Sequence, residues 1–304
     1  MKVVSYLKSV PGRNNKPQKV QLLRDFITGV CACGDQGIIH DGFDVIPSDL
    51  NMIQGWVYEQ THTPHLDLRR RVIECNARTL CADANLFLYS NSANPWGYLR
   101  YSIDGIFPTT GIYFDDNPHR HRWKKIQRET QIELLPYKTR GKYIILCCQR
   151  NGGWSMDGIN IQDWIIETVR KIRVHTDRLI VIRAHPGDKR AKEYLTGKNC
   201  RVNNLHNTTI SPFDTPLEQD LHKAWAVVNH NSSSIVGPII QGFHAFVTDP
   251  IKSQCKEVAH NDFSRIENPI EFDRQAWLER ISMFHWSFEE LRSGEAWRHM
   301  RKYI

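Results

Sequence analysis

AVVNHNSSSIVGPIIQGFHAFVTDP, residues 226–250, holds in order an apolar strand, a polar loop, an apolar helical run and a second apolar strand. Ala226, Val227 and Val228 make the first strand. Gly242 stops the helical run at 235–241, and Ala245, Phe246 and Val247 make the second strand. A helix between two strands of this kind is the unit from which parallel sheets are built. In open parallel sheets, ligands sit beyond the carboxyl ends of the strands, where helix N-termini leave backbone N–H groups free. Asn231, Ser232, Ser233 and Ser234 occupy that position. Small hydroxyl donors at a positive helix end suit a diphosphate, and the same four residues also read as an ordinary N-capping run.

Working outward from this stretch, the rhythm extends back to residue 143. Strands are expected at 143–148, 179–183 and 201–205, with an amphipathic helix at 161–175. The loop at 149–155 carries Arg150 and Trp154, and the one at 183–188 carries Arg183 and His185. Guanidinium and imidazole groups bind phosphate by charge and hydrogen bond. Three polar loops at successive strand ends strengthen the diphosphate reading beyond what each loop supports alone.

The N-terminal half repeats the pattern. Strand 2–7 runs into a basic loop with Arg13 and Lys16, then a helix at 20–32. Strands follow at 38–40, 49–57 and 80–89, with a helix at 66–78 whose Arg69, Arg70 and Arg71 read as a solvated face. The aromatic segment 96–117 reads as strand–turn–strand. Glu59, Asp83 and Asp104 fall near predicted strand ends or loops, where a carboxylate could deprotonate a substrate hydroxyl. Asp104 is the first choice because glycines and aromatics surround it, and each of the three also suits a turn or a cap. In the expected helix 119–130, Arg120, Arg122 and Lys124 flank Trp123, a pattern that fits a nucleic-acid phosphate chain or a solvated charged face.

Residues 136–142 read as a linker, which divides the chain into a lobe at 1–138, a second lobe at 139–275 and a C-terminal helical segment at 276–304. In that tail Ser287 and Glu290 have capping-box spacing. Its Trp277, Trp286 and Trp297 suggest packing back across a domain junction.

Composition sets the outer limits. The chain has 304 residues, 40% apolar and 24% charged, the proportions of a soluble globular protein. No apolar run is long enough to span a bilayer, and Met1-Lys2 leads directly into a strand, so a cytoplasmic protein without signal peptide or membrane contact is expected. The eight cysteines show no CxxC pairing and read as free thiols of a reducing compartment. The net charge of +7 is shared by both halves, +4 over residues 1–140 (18 Lys/Arg, 14 Asp/Glu) and +3 over the remainder (22 and 19). This permits a polyanionic partner without requiring one.

The block RAHP at 183–186, followed some forty residues later by HNSSS at 230–234 and by GFHAFV at 242–247, resembles the second lobe of GT-B glycosyltransferases. The likeness is to the capsule-polysaccharide and Kdo transferase branch. It extends to phage-encoded enzymes that glycosylate hydroxymethylated bases, through Gly55-Trp56-Val57, YLRYSIDGIFPTTGIYFDDNP, QRNGGWSM and WSFEELRSGEAWRHMR. The resemblance implies two Rossmann-like α/β lobes facing across a cleft, with a C-terminal helix crossing back. It implies a nucleotide-sugar donor, with UDP the expected carrier, held by Arg183, His185, Ser232, Ser233 and Ser234, with Arg150 and Trp154 as neighbours. The implied acceptor is 5-hydroxymethylcytosine in double-stranded phage DNA, contacted by Arg13, Lys16, Arg120, Arg122 and Lys124, within the host-cell cytoplasm. Related enzymes often hold the donor ribose with a Glu in the helix after the serines. Here that helix reads VGPIIQ at 236–241, which leaves the nucleotide open.

No DxD is present, so no metal is required for the donor. GxxxxGK[ST], GxGxxG and HExxH are also absent. Two other functions fit the residues: a transferase that builds a surface polysaccharide, and a non-catalytic DNA-binding module with a degenerate nucleotide site.

Overall fold

The computed structural model describes residues 1–57, 62–82, 97–198 and 200–304. These form two compact units, Met1–Ile132 with Leu278–Ile304, and Glu133–Trp277.

The first unit opens with β1 (Lys2–Tyr6), α1 (Pro17–Ala32), β2 (Gln36–His40), β3 (Leu50–Gln54), α2 (Pro64–Glu74), β4 (Arg78–Ala82), β5 (Leu99–Ile103) and α3 (Arg120–Thr130). Pro17 at the first helical position starts α1 one turn earlier than the apolar spacing indicates, since proline lacks the N–H that this position leaves unused. The second unit contains β6 (Tyr143–Cys147), α4 (Ile161–Arg173), β7 (Leu179–Arg183), α5 (Ala191–Leu195), β8 (Thr208–Ile210), α6 (Leu217–Leu221), β9 (Ala224–Asn229), α7 (Val236–Ile240) and β10 (His244–Val247). The chain ends with α8 (Arg274–Ser282), β11 (His285–Trp286), α9 (Phe288–Arg292) and α10 (Glu295–Met300).

The second unit's sheet has the order β10-β9-β6-β7-β8, with every pair parallel. Read from its far edge this is the Rossmann arrangement, and the strand order reverses between β6 and β9. All six residues of β9 are buried, as expected of a central parallel strand covered on both faces. One face packs Ile144, Leu146, Ile180, Ile182, Ala226 and Val228 against Ile161, Trp164, Ile165 and Val169 of α4. The strand expected at 201–205 is instead a series of turns, and the pairing strand lies a few residues later at Thr208–Ile210. The β-branched Thr208, Thr209 and Ile210 suit an edge strand better than the Asn203-Asn204 pair does.

In the first unit the order is β11-β5-β4-β3-β1-β2. Strands β2, β1, β3 and β4 are parallel, whereas β5 runs antiparallel to β4 and β11 antiparallel to β5. The short β11 falls within the tail that reads as continuous helix, because a two-residue strand carries no periodicity of its own. The expected capping box is formed: the Glu290 amide donates to Ser287 Oγ, and the Ser287 amide to Glu290 Oε2. Helices α9 and α10 lie on α1, with Trp297 packed edge-on to Phe26 and Leu291 in the same core.

The basic face of α2 differs from expectation at one residue. Arg69 is buried and donates twice to the carbonyl of Ser9 (2.6 and 3.0 Å) and once to that of Trp56 (3.1 Å). It therefore ties the loop after β1 to the segment after β3.

Candidate functional site

Four loops leave the C-terminal edge of the second sheet, and polar side chains bind them to one another. The buried Asn231, after β9, accounts for three links. Its backbone N–H donates to Gln149 Oε1 (3.0 Å), and its side-chain amide donates to the Ser155 carbonyl (3.1 Å) and to Asp249 Oδ2 (2.8 Å). Gln149 also donates to Ser155 Oγ. Asp188, after β7, accepts from the Asn151 amide (2.9 Å), the Arg190 amide (3.0 Å) and the Tyr194 hydroxyl (2.7 Å). Burial alone would raise the Asp188 pKa. These donors outweigh it and hold the carboxyl below its ordinary value.

This framework positions Arg150 beside His185. The Arg150 guanidinium lies directly over Gly187, in the space a β-carbon would fill. Arg150 is exposed and has no carboxylate partner among the described residues. The Gly187 N–H donates to His185 Nδ1 (2.9 Å), which leaves the ring proton of the neutral imidazole on Nε2. Burial lowers the His185 pKa and the neighbouring Arg150 lowers it further, with Asp188 opposing. At neutral pH the pair therefore offers one fixed positive fork and one neutral N–H donor.

Arg183, at the end of β7, is differently placed. Its Nη1 forms a 2.5 Å salt bridge with Asp220 Oδ2, and the two side chains are 13% and 10% exposed. Asp220 also accepts from the Ser211 hydroxyl (2.7 Å). The charge of Arg183 is thus balanced beneath the strand end, and Arg150 is the arginine available to an incoming anion. Ser232 caps the 3-10 turn Ser233–Ile235 that leads into α7. Its Oγ accepts from the Ser234 amide (3.2 Å), and its carbonyl accepts from Asn229 (2.7 Å). Ser233 and Ser234 are partly exposed at the same turn. Asn231, expected as a donor ligand, uses its N–H groups to hold loops together. Trp154 begins the 3-10 turn Trp154–Met156 in the loop after β6.

Sequence reasoning missed the framework: Gln149, Asn151, Asp188 and Asp249. Their short polar side chains are common in loops, so no local signal marks them. His230 had a signal, because it opens HNSSS. Its Nδ1 is 2.7 Å from the Thr248 hydroxyl, and its buried Nε2 lies 4.0 Å from Asp249 Oδ2 with no hydrogen-bond partner among the described residues.

In the first unit, Asp104 does not occupy a ligand-binding strand end. Because β5 is antiparallel to β4, its last residue, Ile103, pairs with Leu80, and the chain runs on toward Thr79 and Arg78 at the start of β4. Asp104 follows at the amino-terminal edge of the parallel strands, with φ at 59°. It exchanges hydrogen bonds with Thr79 (2.8 and 2.9 Å) and pairs with Arg78. This is a turn-forming role, on the edge opposite to the one where ligands sit. Glu59 and Asp83 lie outside the described residues.

Among the residues expected to meet DNA, Arg13 pairs with Asp41 in a turn after β1, and Lys16 precedes α1. Arg120 and Lys124 are exposed on α3. Arg122 is not at the surface. Its side chain is 5% exposed, paired with Glu290, hydrogen-bonded to the Ser282 and His285 carbonyls, and stacked 4.0 Å from the Trp286 ring. Charge alone does not distinguish a buried residue beside a core Trp on a charged helix from its exposed neighbours.

Two parallel-dominated α/β sheets in one chain, one of Rossmann order with its polar loops tied together at the switch point, define the two-domain fold of the GT-B glycosyltransferases. Two solved structures carry that assignment. One is Thermosulfurimonas dismutans KpsC, beta Kdo 2,4 transferase (TM-score 0.56, 12% identity, 94% of this chain and 91% of that one). The other is the beta Kdo 2,7 transferase of the same KpsC (TM-score 0.55, 13% identity, 100% and 99%). No protein-family model matches the sequence, and no curated protein matches it. No helix among the described residues is long and apolar enough to cross a membrane, and no cluster of three or more His, Cys, Asp or Glu side chains there could hold a metal ion.

Proposed function

We propose that the chain transfers a sugar from a nucleotide-activated donor whose diphosphate or phosphate group rests on the second unit's sheet edge. The observation that carries this reading is the Arg150 guanidinium, without a carboxylate partner among the described residues, beside His185, whose Nε2–H is free to donate, at a Rossmann switch point. As the glycosidic bond to the donor breaks, negative charge collects on the leaving phosphate. A fixed guanidinium, an imidazole N–H and the Ser233 and Ser234 hydroxyls oppose that charge without having to reorganise. Arg183 acts one step back, holding the end of β7 through Asp220. A carboxylate near the ends of β3 or β4 would take the acceptor proton. Asp83 directly follows β4 and Glu59 follows β3 by a few residues, so these two are the proposed bases.

An acceptor belonging to a surface polysaccharide is favoured by the likeness to the two KpsC transferases. The second reading is 5-hydroxymethylcytosine in duplex DNA, with UDP-linked sugar as donor. It is supported by the exposed Arg120 and Lys124, the sequence pI near 9.0 and the sequence resemblance to phage enzymes, and it loses Arg122 as a contact. The test is to incubate the chain with UDP-, CMP- and GDP-sugars and three acceptors: hydroxymethylated DNA, plain DNA and a panel of capsule-type oligosaccharides. Mass spectrometry of the digested products reads the outcome. Product on oligosaccharide supports the first reading, and product on hydroxymethylated DNA alone the second. Absence of transfer to all acceptors together with absence of nucleotide binding sinks both.

A further inference from the structure

We propose that a cavity in the first unit, at the β11 edge of its sheet, binds a small phosphomonoester. This site is separate from the donor edge and does not depend on the function proposed above. The cavity has a volume of about 410 Å³, and α3, β11, α10 and the turn Arg301–Tyr303 supply its walls. Four fixed cations line it: Arg122, Lys125, Arg298 and Lys302. Three carboxylates answer them. Glu290 takes Arg122 and Lys125, Glu295 lies 3.7 Å from Lys125, and Asp115 takes Lys302 at 3.1 Å.

Arg298 is left over. It donates to Cys33 Sγ (3.4 Å) and the Ser293 carbonyl (3.5 Å) and forms no salt bridge among the described residues. His119 and His121 line the same cavity, and their rings have no hydrogen-bond partner among the described residues. At the wall, His299 has a side chain 8% exposed with its buried Nε2 3.8 Å from Asp115 Oδ2, and neither that nitrogen nor the indole nitrogen of the buried Trp286 has a hydrogen-bond partner among the described residues.

A guanidinium without a salt bridge and two imidazoles without a hydrogen-bond partner among the described residues therefore face a cavity whose other three cations are already paired. A phosphomonoester carries about −1.5 to −2 charges at neutral pH and three acceptor oxygens, which matches an arginine fork plus two imidazole donors. A carboxylate would leave donors unused. A duplex phosphate chain would need its cations along an outward face, not gathered around a recess of single-sugar size.

The test is calorimetric titration of the intact chain with glucose 6-phosphate, glucose, glucuronate, inorganic phosphate and a short DNA duplex. A background carrying both Arg150→Ala and His185→Ala silences the donor edge. Glucose 6-phosphate is expected to saturate one site and to bind at least ten times more weakly after combined Arg298→Ala and His121→Ala substitution. Both of those residues are exposed, so the melting temperature should hold, and Arg128→Ala on the same helix should leave affinity unchanged. Inorganic phosphate binding at that site identifies the phosphoryl group as the recognised feature, and weaker phosphate binding assigns part of the recognition to the sugar. The proposal is overturned by unchanged affinity in the double variant, by glucuronate binding more tightly than glucose 6-phosphate, by saturation with DNA but not with the phosphomonoester, or by no saturation at all.

Discussion

Arg150 and Arg183 show how two arginines at neighbouring strand ends acquire different work. Arg183 gives its charge to Asp220, whereas Arg150 rests on Gly187 beside His185 with no carboxylate partner among the described residues. A charge-assisted hydrogen bond contributes about 1.5–3 kcal/mol. Arg150→Ala is therefore expected to weaken nucleotide binding roughly 10- to 100-fold, with little loss of stability, as read by titration and thermal melt. Arg122 and Glu290 are the reverse case, a buried pair that serves the fold. Burial would raise the Glu290 pKa, but Arg122, Lys125 and the Ser287 amide outweigh it and hold it below the ordinary value. A carboxyl depressed in the folded state stabilises fully above its unfolded pKa of about 4.3, and that stability disappears as pH falls through the lower folded value. Glu290→Gln strands a buried guanidinium and should cost about 3 kcal/mol at pH 7. Its stability should also fall less steeply than that of the parent below about pH 4 in denaturant melts. An unchanged acid limb would remove Glu290 from that role.

At the scale of elements, the helix contact between α1 and α9 depends on one missing side chain. A β-carbon on Gly29 would overlap the Leu291 carbonyl oxygen and lie 2.9 Å from Gly294 Cα, both of them backbone. Alanine would gain about 1 kcal/mol of helix propensity over glycine. Overpacking against backbone costs about 1–3 kcal/mol and can exceed that where neither side can yield, so the clash should win. Gly29→Ala is expected to destabilise the first unit by about 2 kcal/mol in chemical denaturation, whereas a gain in stability would mean that the helices can part freely. Much of the strand and helix pattern was readable from apolar spacing, including β1, β6, β7, β9 and β10, because buried parallel strands are uninterrupted apolar runs. The reversal of β5 was not readable, since nothing in LRYSI encodes strand direction. That one reversal moved Asp104 to the opposite edge. The RAHP and HNSSS loops were legible as polar interruptions at strand ends, but the division of labour within them depends on Asp220, Asp188 and Gln149, which lie elsewhere in sequence or carry no distinctive signal.

At the scale of the whole molecule, each unit has its own apolar core: one includes Phe26, Phe284 and Trp297, the other Ile144, Trp164 and Phe246. A chain with two cores need not unfold as a single two-state system, and a ligand stabilises only the part that forms its site. The Gly29→Ala substitution supplies a label, because the calorimetric transition that it lowers belongs to the first unit. A nucleotide at one hundred times its dissociation constant contributes about 2.7 kcal/mol to the species that binds it. For a unit of this size that corresponds to a rise of roughly 5–10 °C. The rise is expected in the transition that Gly29→Ala leaves unmoved, and it should vanish when Arg150→Ala is combined with His185→Ala. A rise confined to the labelled transition would place the nucleotide on the first unit instead, and with it would go the case for Arg150, His185 and the serine turn as the donor edge.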